Sequence, residues 1–156
     1  MSIDTEIPAD EPTIIMTRIY DAPRDLVWAV STEPRHIRKW WGGPGVTNPV
    51  CEIDLRPGGR WVHAMRFPDG HELRLEFEFV EVEPPLRLVW RQHGDRAERP
   101  NVLFTTSLEA LSEARTLSKL VVRFDSHAAR DAAIGMGFTA PIEASHHRLV
   151  EYLKSL

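Results

Sequence analysis

The chain is poor in cysteine, in net positive charge and in tyrosine, and each scarcity closes off a class of protein. One thiol, Cys51, stands in 156 residues. A lone cysteine forms no intramolecular disulfide and no cysteine-rich zinc module, so a reducing, cytoplasmic setting is the expectation. Lys and Arg number 19 against 23 Asp and Glu, a formal net charge of −4. Nucleic-acid binding draws on a basic surface that displaces counterions from phosphate, so no nucleic-acid partner is expected. The segment before Thr13 carries Asp4, Glu6, Asp10 and Glu11 and no base. A secretory leader starts basic and then turns apolar, which this segment does not do. No apolar run approaches the roughly 18 residues of a membrane-spanning helix, so no membrane partner is expected either.

What is present fits one globular domain. The hydrophobic fraction is 42% and the charged fraction 27%, close to globular averages. The aromatic residues are lopsided: five Trp and six Phe accompany only two Tyr. A Trp needs a deep pocket or an interface and a partner for its N–H, so five in one small domain call for an explanation.

Residues 1–12 read as a flexible N-terminal arm and residues 13–156 as a single domain. TIIMTRIY at 13–20, rich in β-branched and aromatic residues, reads as a first strand. Two short helices follow, one after Pro23 with Leu26, Val27 and Val30, the other from Pro34 with Ile37, Trp40 and Trp41; Gly42-Gly-Pro-Gly45 stops it. From about residue 47 the period becomes two. Cys51, Ile53 and Leu55 alternate with acids and a base, then Trp61, His63, Met65 and Phe67 lead to Pro68-Asp69-Gly70, a hairpin signal. Leu73, Leu75, Phe77 and Phe79 alternate with charged residues, as in an antiparallel strand buried on one face. Pro84-Pro85 turns the chain into a strand carrying Leu86, Leu88 and Trp90. A polar loop at 94–101 precedes the last two strands. Ser126 reads as the N-cap of a short helix, and Phe138, Ile142, Leu149, Leu153 and Leu156 mark one face of a long helix, with Pro141 in its first turn or at a kink. The order predicts an α+β fold: a curved antiparallel sheet of about seven strands gripping the C-terminal helix, with bulky side chains lining the gap.

Motifs for covalent chemistry are few. GxSxG, the phosphate-loop pattern and GxGxxG are not found. Glu143, His146, His147 and Glu151 form one ExxH step on the last helix without a second such helix, so a solvated face is expected and no metal or cofactor. His63 shares the parity of Trp61 and Met65. It either lines the pocket, or is a core histidine bonded to a neighbour, or the strand turns Val62 and Ala64 inward instead. Trp40 and Trp41 point about 100° apart if helical, one packing in the core and the other rimming the opening. Cys51 reads as a buried strand residue without a neighbouring base.

Several stretches together resemble a known family: Arg18-Ile-Tyr-Asp-Ala-Pro-Arg24, Val27-Trp28, Thr32-Glu-Pro34, Trp40-Trp-Gly42, Asp54-Leu-Arg-Pro-Gly-Gly59, Pro68-Asp-Gly70, Glu81-Val-Glu-Pro84 with Leu88-Val-Trp90, and Arg148-Leu-Val-Glu-Tyr-Leu153. Their order and spacing resemble the SRPBCC superfamily of START-like and birch-pollen-allergen-like domains. Within it they resemble the branch related to the activator of the 90-kDa heat-shock-protein ATPase. The resemblance implies a helix-grip fold, which agrees with the element order. The superfamily holds lipid carriers, hormone receptors, polyketide cyclases and co-chaperones, all using the cavity or its rim. The expectation is a domain, monomeric or homodimeric, that binds a small hydrophobic or aromatic ligand. Its cavity is lined by Trp40, Trp41, Trp61, His63, Met65, Phe77, Trp90, Phe138 and Ile142. Alternatives are a co-chaperone-like domain that binds a chaperone or other protein, and a cyclase- or lyase-type enzyme, for which no catalytic residue is identified.

Overall fold

Alternating apolar and charged residues build strands, and 3.6-residue spacing builds helices at the two places the pattern changes. The computed structural model describes residues 3–95 and 100–156. The elements are β1 (Asp4–Glu6), β2 (Thr13–Tyr20), α1 (Arg24–Thr32), α2 (Pro34–Trp40), β3 (Thr47–Ile53) and β4 (Arg60–Arg66). They continue with β5 (Glu72–Glu83), β6 (Arg87–Gln92), β7 (Val102–Ser112), β8 (Arg115–Phe124), α3 (His127–Gly135) and α4 (Thr139–Lys154). Of the polar loop expected at 94–101, residues 96–99 lie outside the described residues.

All strands join one antiparallel sheet in the order β1-β2-β8-β7-β6-β5-β4-β3. After β2 the chain crosses to the far edge through α1 and α2. It then returns strand by strand until β8 pairs with β2, Ile14 facing Val122 and Tyr20 facing Thr116. Register shifts in β3, β5 and β7 mark bulges, which bend and twist a sheet. The resulting concave face carries the core: Ile14, Met16, Tyr20, Leu120, Val122 and Phe124 under the helices, with Val27, Val30, Ile37 and Leu149 above. The outer face carries exposed ion pairs such as Arg66–Glu72 at 2.9 Å and Arg87–Glu81 at 2.9 Å. Such pairs each contribute at most about 1 kcal/mol, so the fold rests on the concave side.

The sheet has one strand more than expected. The stretch expected as an arm contributes β1, whose Asp4, Thr5 and Glu6 pair with Thr17, Met16 and Ile15. Three exposed residues bury nothing, so no periodicity announces them; the unpaired edge of β2 supplies their hydrogen bonds. Buried Arg130 on α3 holds the same stretch, donating through Nη1 to the carbonyls of Pro8 and Glu11. The C-terminal helices follow their start signals. Ser126 Oγ accepts from the Ala129 N–H at 3.0 Å, and Pro141 falls in the first turn of α4, where a missing N–H breaks no helical bond.

The turn between β3 and β4 depends on Gly59, where a Cβ would lie 2.0 Å from the carbonyl oxygen of Asp54. Its N–H donates to Arg56 and its carbonyl accepts from Phe79, joining the turn to β5. Gly59→Ala is expected to lower stability by at least about 2 kcal/mol, because backbone must move to admit the methyl group. Urea denaturation checks this, and an unchanged midpoint contradicts it.

Candidate functional site

The position of α4 over the sheet is set by polar contacts with the turn that ends α2. α2 stops at Trp40, and Trp41 takes extended backbone angles (φ −66°, ψ 131°) instead of continuing the helix. The chain reverses at Gly42, whose φ of +87° suits glycine. The reversal leaves carbonyl oxygens without helical partners, and the guanidinium of Arg148 on α4 collects them. Its Nη1 lies 3.0–3.3 Å from the carbonyls of Trp41, Gly42, Gly43 and Val46, and its Nη2 donates to Lys39 at 3.1 Å. Ser145 Oγ accepts from the Gly42 N–H at 2.8 Å, and His36 Nδ1 pairs with the Tyr152 hydroxyl at 2.6 Å.

Beneath this clasp the aromatic residues form a continuous chain. Trp41 meets Trp40 at 5.7 Å, Trp61 at 4.9 Å and His63 at 5.1 Å between ring centroids. Trp61 meets Phe77 at 4.9 Å and Trp90 at 6.1 Å. Two rings not singled out in the sequence belong here: Phe79 stacks on Trp61, and Phe104 stacks on Trp90 at 5.1 Å. Trp40 is buried with its N–H on the Val30 carbonyl at 2.9 Å, whereas Trp41 is half-buried. Trp28 is half-buried and packs on the core from α1.

His63 is fully enclosed, and both ring nitrogens are engaged. Trp61 donates to Nδ1 at 3.2 Å, so the ring proton sits on Nε2, which donates to Asn48 Oδ1 at 2.8 Å. Asn48 donates in turn to the carbonyls of Arg38 and Trp41, each at 3.1 Å. The bulge in β3 that turns Asn48 inward adjoins Pro49, which has no N–H for a ladder. Burial, with the positive charge of Arg38 adding to it, pushes His63 down to about 4. Opposite it in the ladder, burial pushes the Cys51 thiol up to about 11, only partly offset by Arg38 and Trp61, which makes it a poor nucleophile.

The remaining expected residues lie apart from these rings. Met65 is half-buried on the parity of Trp61 and His63, toward the open end of β4. Phe138 meets Phe124 edge-on at 5.4 Å, at the junction of α3 and α4. Ile142 is half-buried against the core.

A second cluster, between β2 and α4, went unrecognised. His146, expected on a solvated face, turns inward, where its Nδ1 shares a hydrogen bond with the Tyr20 hydroxyl. The signal was present, since His146 precedes Leu149 by three positions and Leu153 by seven, on the apolar stripe. Burial lowers His146 to about 4, with Arg18 and His147 adding to the effect, and burial raises Tyr20, with Arg18 partly opposing. Arg18 itself is 5% exposed, its guanidinium 5.5 Å from the centre of the Tyr20 ring. An opening of about 150 Å³ reaches this cluster, walled by Ile19, Val150 and Leu153. A larger open groove of about 590 Å³ runs outside α2 and α4, from Lys39 and Pro44 to His147 and Tyr152, and none of the expected lining residues borders it. Among the described residues no three His, Cys, Asp or Glu converge as metal ligands, and no helix is long and apolar enough to cross a membrane.

The family model described as "Activator of Hsp90 ATPase homolog 1-like protein" matches residues 21–154. Among solved structures, a protein of Nitrosomonas europaea is 28% identical with a TM-score of 0.84, covering 96% of this chain and 97% of that one. A Mycobacterium smegmatis protein is 24% identical with a TM-score of 0.85, covering 98% of each chain. A protein of Arthrobacter aurescens is 22% identical with a TM-score of 0.90, covering 100% of this chain and 94% of that one. The latter two likenesses speak for the fold alone. No curated protein matches the chain.

Two expectations follow from this geometry. Arg148→Met strands the carbonyls of the α2 turn and is expected to lower stability by about 2–4 kcal/mol, read as a shift in the urea midpoint; a shift below 1 kcal/mol contradicts the clasp. The second concerns acid. His63 and His146 protonate near 6.5 when unfolded but only near 4 when folded, so between these values the unfolded chain binds more protons. Their contribution to stability is therefore constant above pH 7 and falls as pH drops from 6.5 toward 4, with a slope of up to roughly 2.7 kcal/mol per pH unit for the pair. Unfolding midpoints at pH 7, 6 and 5 test this, and His63→Gln is expected to flatten the slope by about half.

Proposed function

Because the chain belongs to the family of Activator of Hsp90 ATPase homolog 1-like proteins, we propose that it binds a small hydrophobic or aromatic ligand without covalent chemistry. The ligand lies between the concave face and α4. The observation that carries this reading is the incomplete burial of α4: of its 16 residues only Ser145 and Leu149 are buried. A helix that closes a core normally buries a full apolar stripe. Here the backbone of α4 runs closest to α2, and its polar clasp holds it there. Trp41 and Phe104, with Phe138 and Ile142 at the start of α4, remain half-buried against the core, apolar surface that a ligand completes.

In this reading Trp40, Trp61, Phe77 and Trp90 form the floor, Met65 borders the open end, and His63 orders the floor through Trp61 and Asn48. The engaged nitrogens of His63 favour binding over an acid–base role, because a proton carrier needs a nitrogen free to face the ligand. The buried thiol fits a cytoplasmic protein.

Nile red, a neutral apolar probe, tests the reading. Its emission is expected to brighten and shift to the blue on the folded protein, and a probe at about 100 times its Kd is expected to stabilise the fold by about 2.7 kcal/mol. Ile142→Asp, which sets a carboxylate in this apolar surface, is expected to weaken the probe about tenfold, or 1.4 kcal/mol. Emission no brighter than in buffer, with an unmoved melting temperature, overturns the reading.

A further inference from the structure

We propose that Arg18 anchors the carboxylate of a short, singly charged acid that enters between β2 and α4. This rests on the ligand-binding reading above and narrows its chemistry.

Strand alternation places Arg18 on the inward parity of Met16 and Tyr20, and only 5% of it is exposed. Its Nε and Nη1 are enclosed and have no hydrogen-bond partner, and the side chain forms no ion pair among the described residues. The nearby acids are committed elsewhere: Asp21 pairs with Arg115 at 3.3 Å, and Glu151 with Lys154 at 3.1 Å. The Tyr20 hydroxyl is taken by His146, so the contact Arg18 keeps is with the face of the Tyr20 ring. A guanidinium does not shed its proton, so the fold encloses a positive charge with its donors unused. Enclosed charges are normally paired, because an unpaired one loses its hydration without return.

The opening is shaped for the missing partner. Arg18 lines it together with Ile19, Tyr20, Val150 and Leu153, and Asp21 and Lys154 complete the lining, so the enclosed guanidinium faces apolar side chains beside one acid and one ammonium. Its volume of about 150 Å³ equals that of about five water-sized groups at roughly 30 Å³ each, which limits the acid to a few carbons. A carboxylate presents two coplanar oxygens that match the edge of a guanidinium. Asp21 stands at the rim and disfavours a multiply charged anion, and the rim ammonium of Lys154 is already paired. These features favour a short monocarboxylate with an apolar tail over phosphate.

Calorimetric titration with butyrate, butyramide and inorganic phosphate, on the intact chain and on Arg18→Met and Arg18→Lys, tests the assignment. Butyrate is expected to bind the unaltered protein, at least tenfold more weakly to Arg18→Met, and in between to Arg18→Lys. Butyramide, alike in shape but neutral, is expected not to bind at the same concentration. Ligand-free Arg18→Met is expected to unfold at a urea concentration no lower than the unaltered chain, since it removes an unpaired charge; this also establishes that the variant folds. The assignment is overturned if butyrate fails to bind, binds Arg18→Met undiminished, or binds no better than butyramide or phosphate. A clearly lower midpoint for Arg18→Met overturns it too, because Arg18 is then satisfied within the fold. Nile red binding depends on no charge, so it separates a failed anchor from a failed ligand-binding reading.

Discussion

Arg148 sits where α4 crosses the turn after α2, and its guanidinium gathers carbonyl oxygens that neither helix nor strand can satisfy. The turn exists because α2 must stop at Trp40 and the chain must swing to the far edge of the sheet. A helix end with exposed carbonyls carries partial negative charge, so a cation there is favoured both by direct bonds and by the helix dipole. Without this contact α4 has little to fix its height, since most of its face is only partly buried. The meeting of His146 with Tyr20 and that of Tyr152 with His36 both follow from it.

The concave face thus has two ends of opposite character. At the β3–β6 end, rings touch rings, and the one polar chain among them is closed on itself from Trp61 through His63 to Asn48 and the α2 carbonyls. At the β2 end, the polar groups are open-ended: a tyrosine and a histidine satisfy each other, and beside them a guanidinium has unused donors. The same burial that holds both histidines neutral makes an unpaired cation conspicuous, because the solvent that would shield it is excluded. A ligand with an apolar body and one negative end suits a space bounded in this way.

Much of the architecture was legible in the chain. Leu73, Leu75, Phe77 and Phe79 alternating with charges specify a strand with one buried face, and that holds whatever the strand pairs with. Ser126 and Pro141 mark helix starts through local hydrogen bonding alone. Less was legible at the site. Trp40, Trp41, Trp61, Phe77 and Trp90 assemble as neighbours, but Phe138 pairs with Phe124 because α3 and α4 meet beside β8, a contact between elements that no local pattern encodes. The edge strand β1 escaped because three exposed residues carry no periodicity.

The chain by itself determined which residues face inward, since the periods of strand and helix are properties of the local backbone. It also determined that no disulfide could staple the fold and that five tryptophans had to find enclosed places. Which inward residues meet was decided by the tertiary structure. Asn48 reaches His63 because a bulge turns it, His146 reaches Tyr20 because Arg148 sets the height of α4, and Arg18 lies enclosed because that helix passes over β2. An arginine in a strand is ordinary as a letter in the sequence. Only its surroundings, which take away water and leave its donors unpaired, make it a site, and α4 brings part of them, Val150, Leu153 and Lys154, from the far end of the chain.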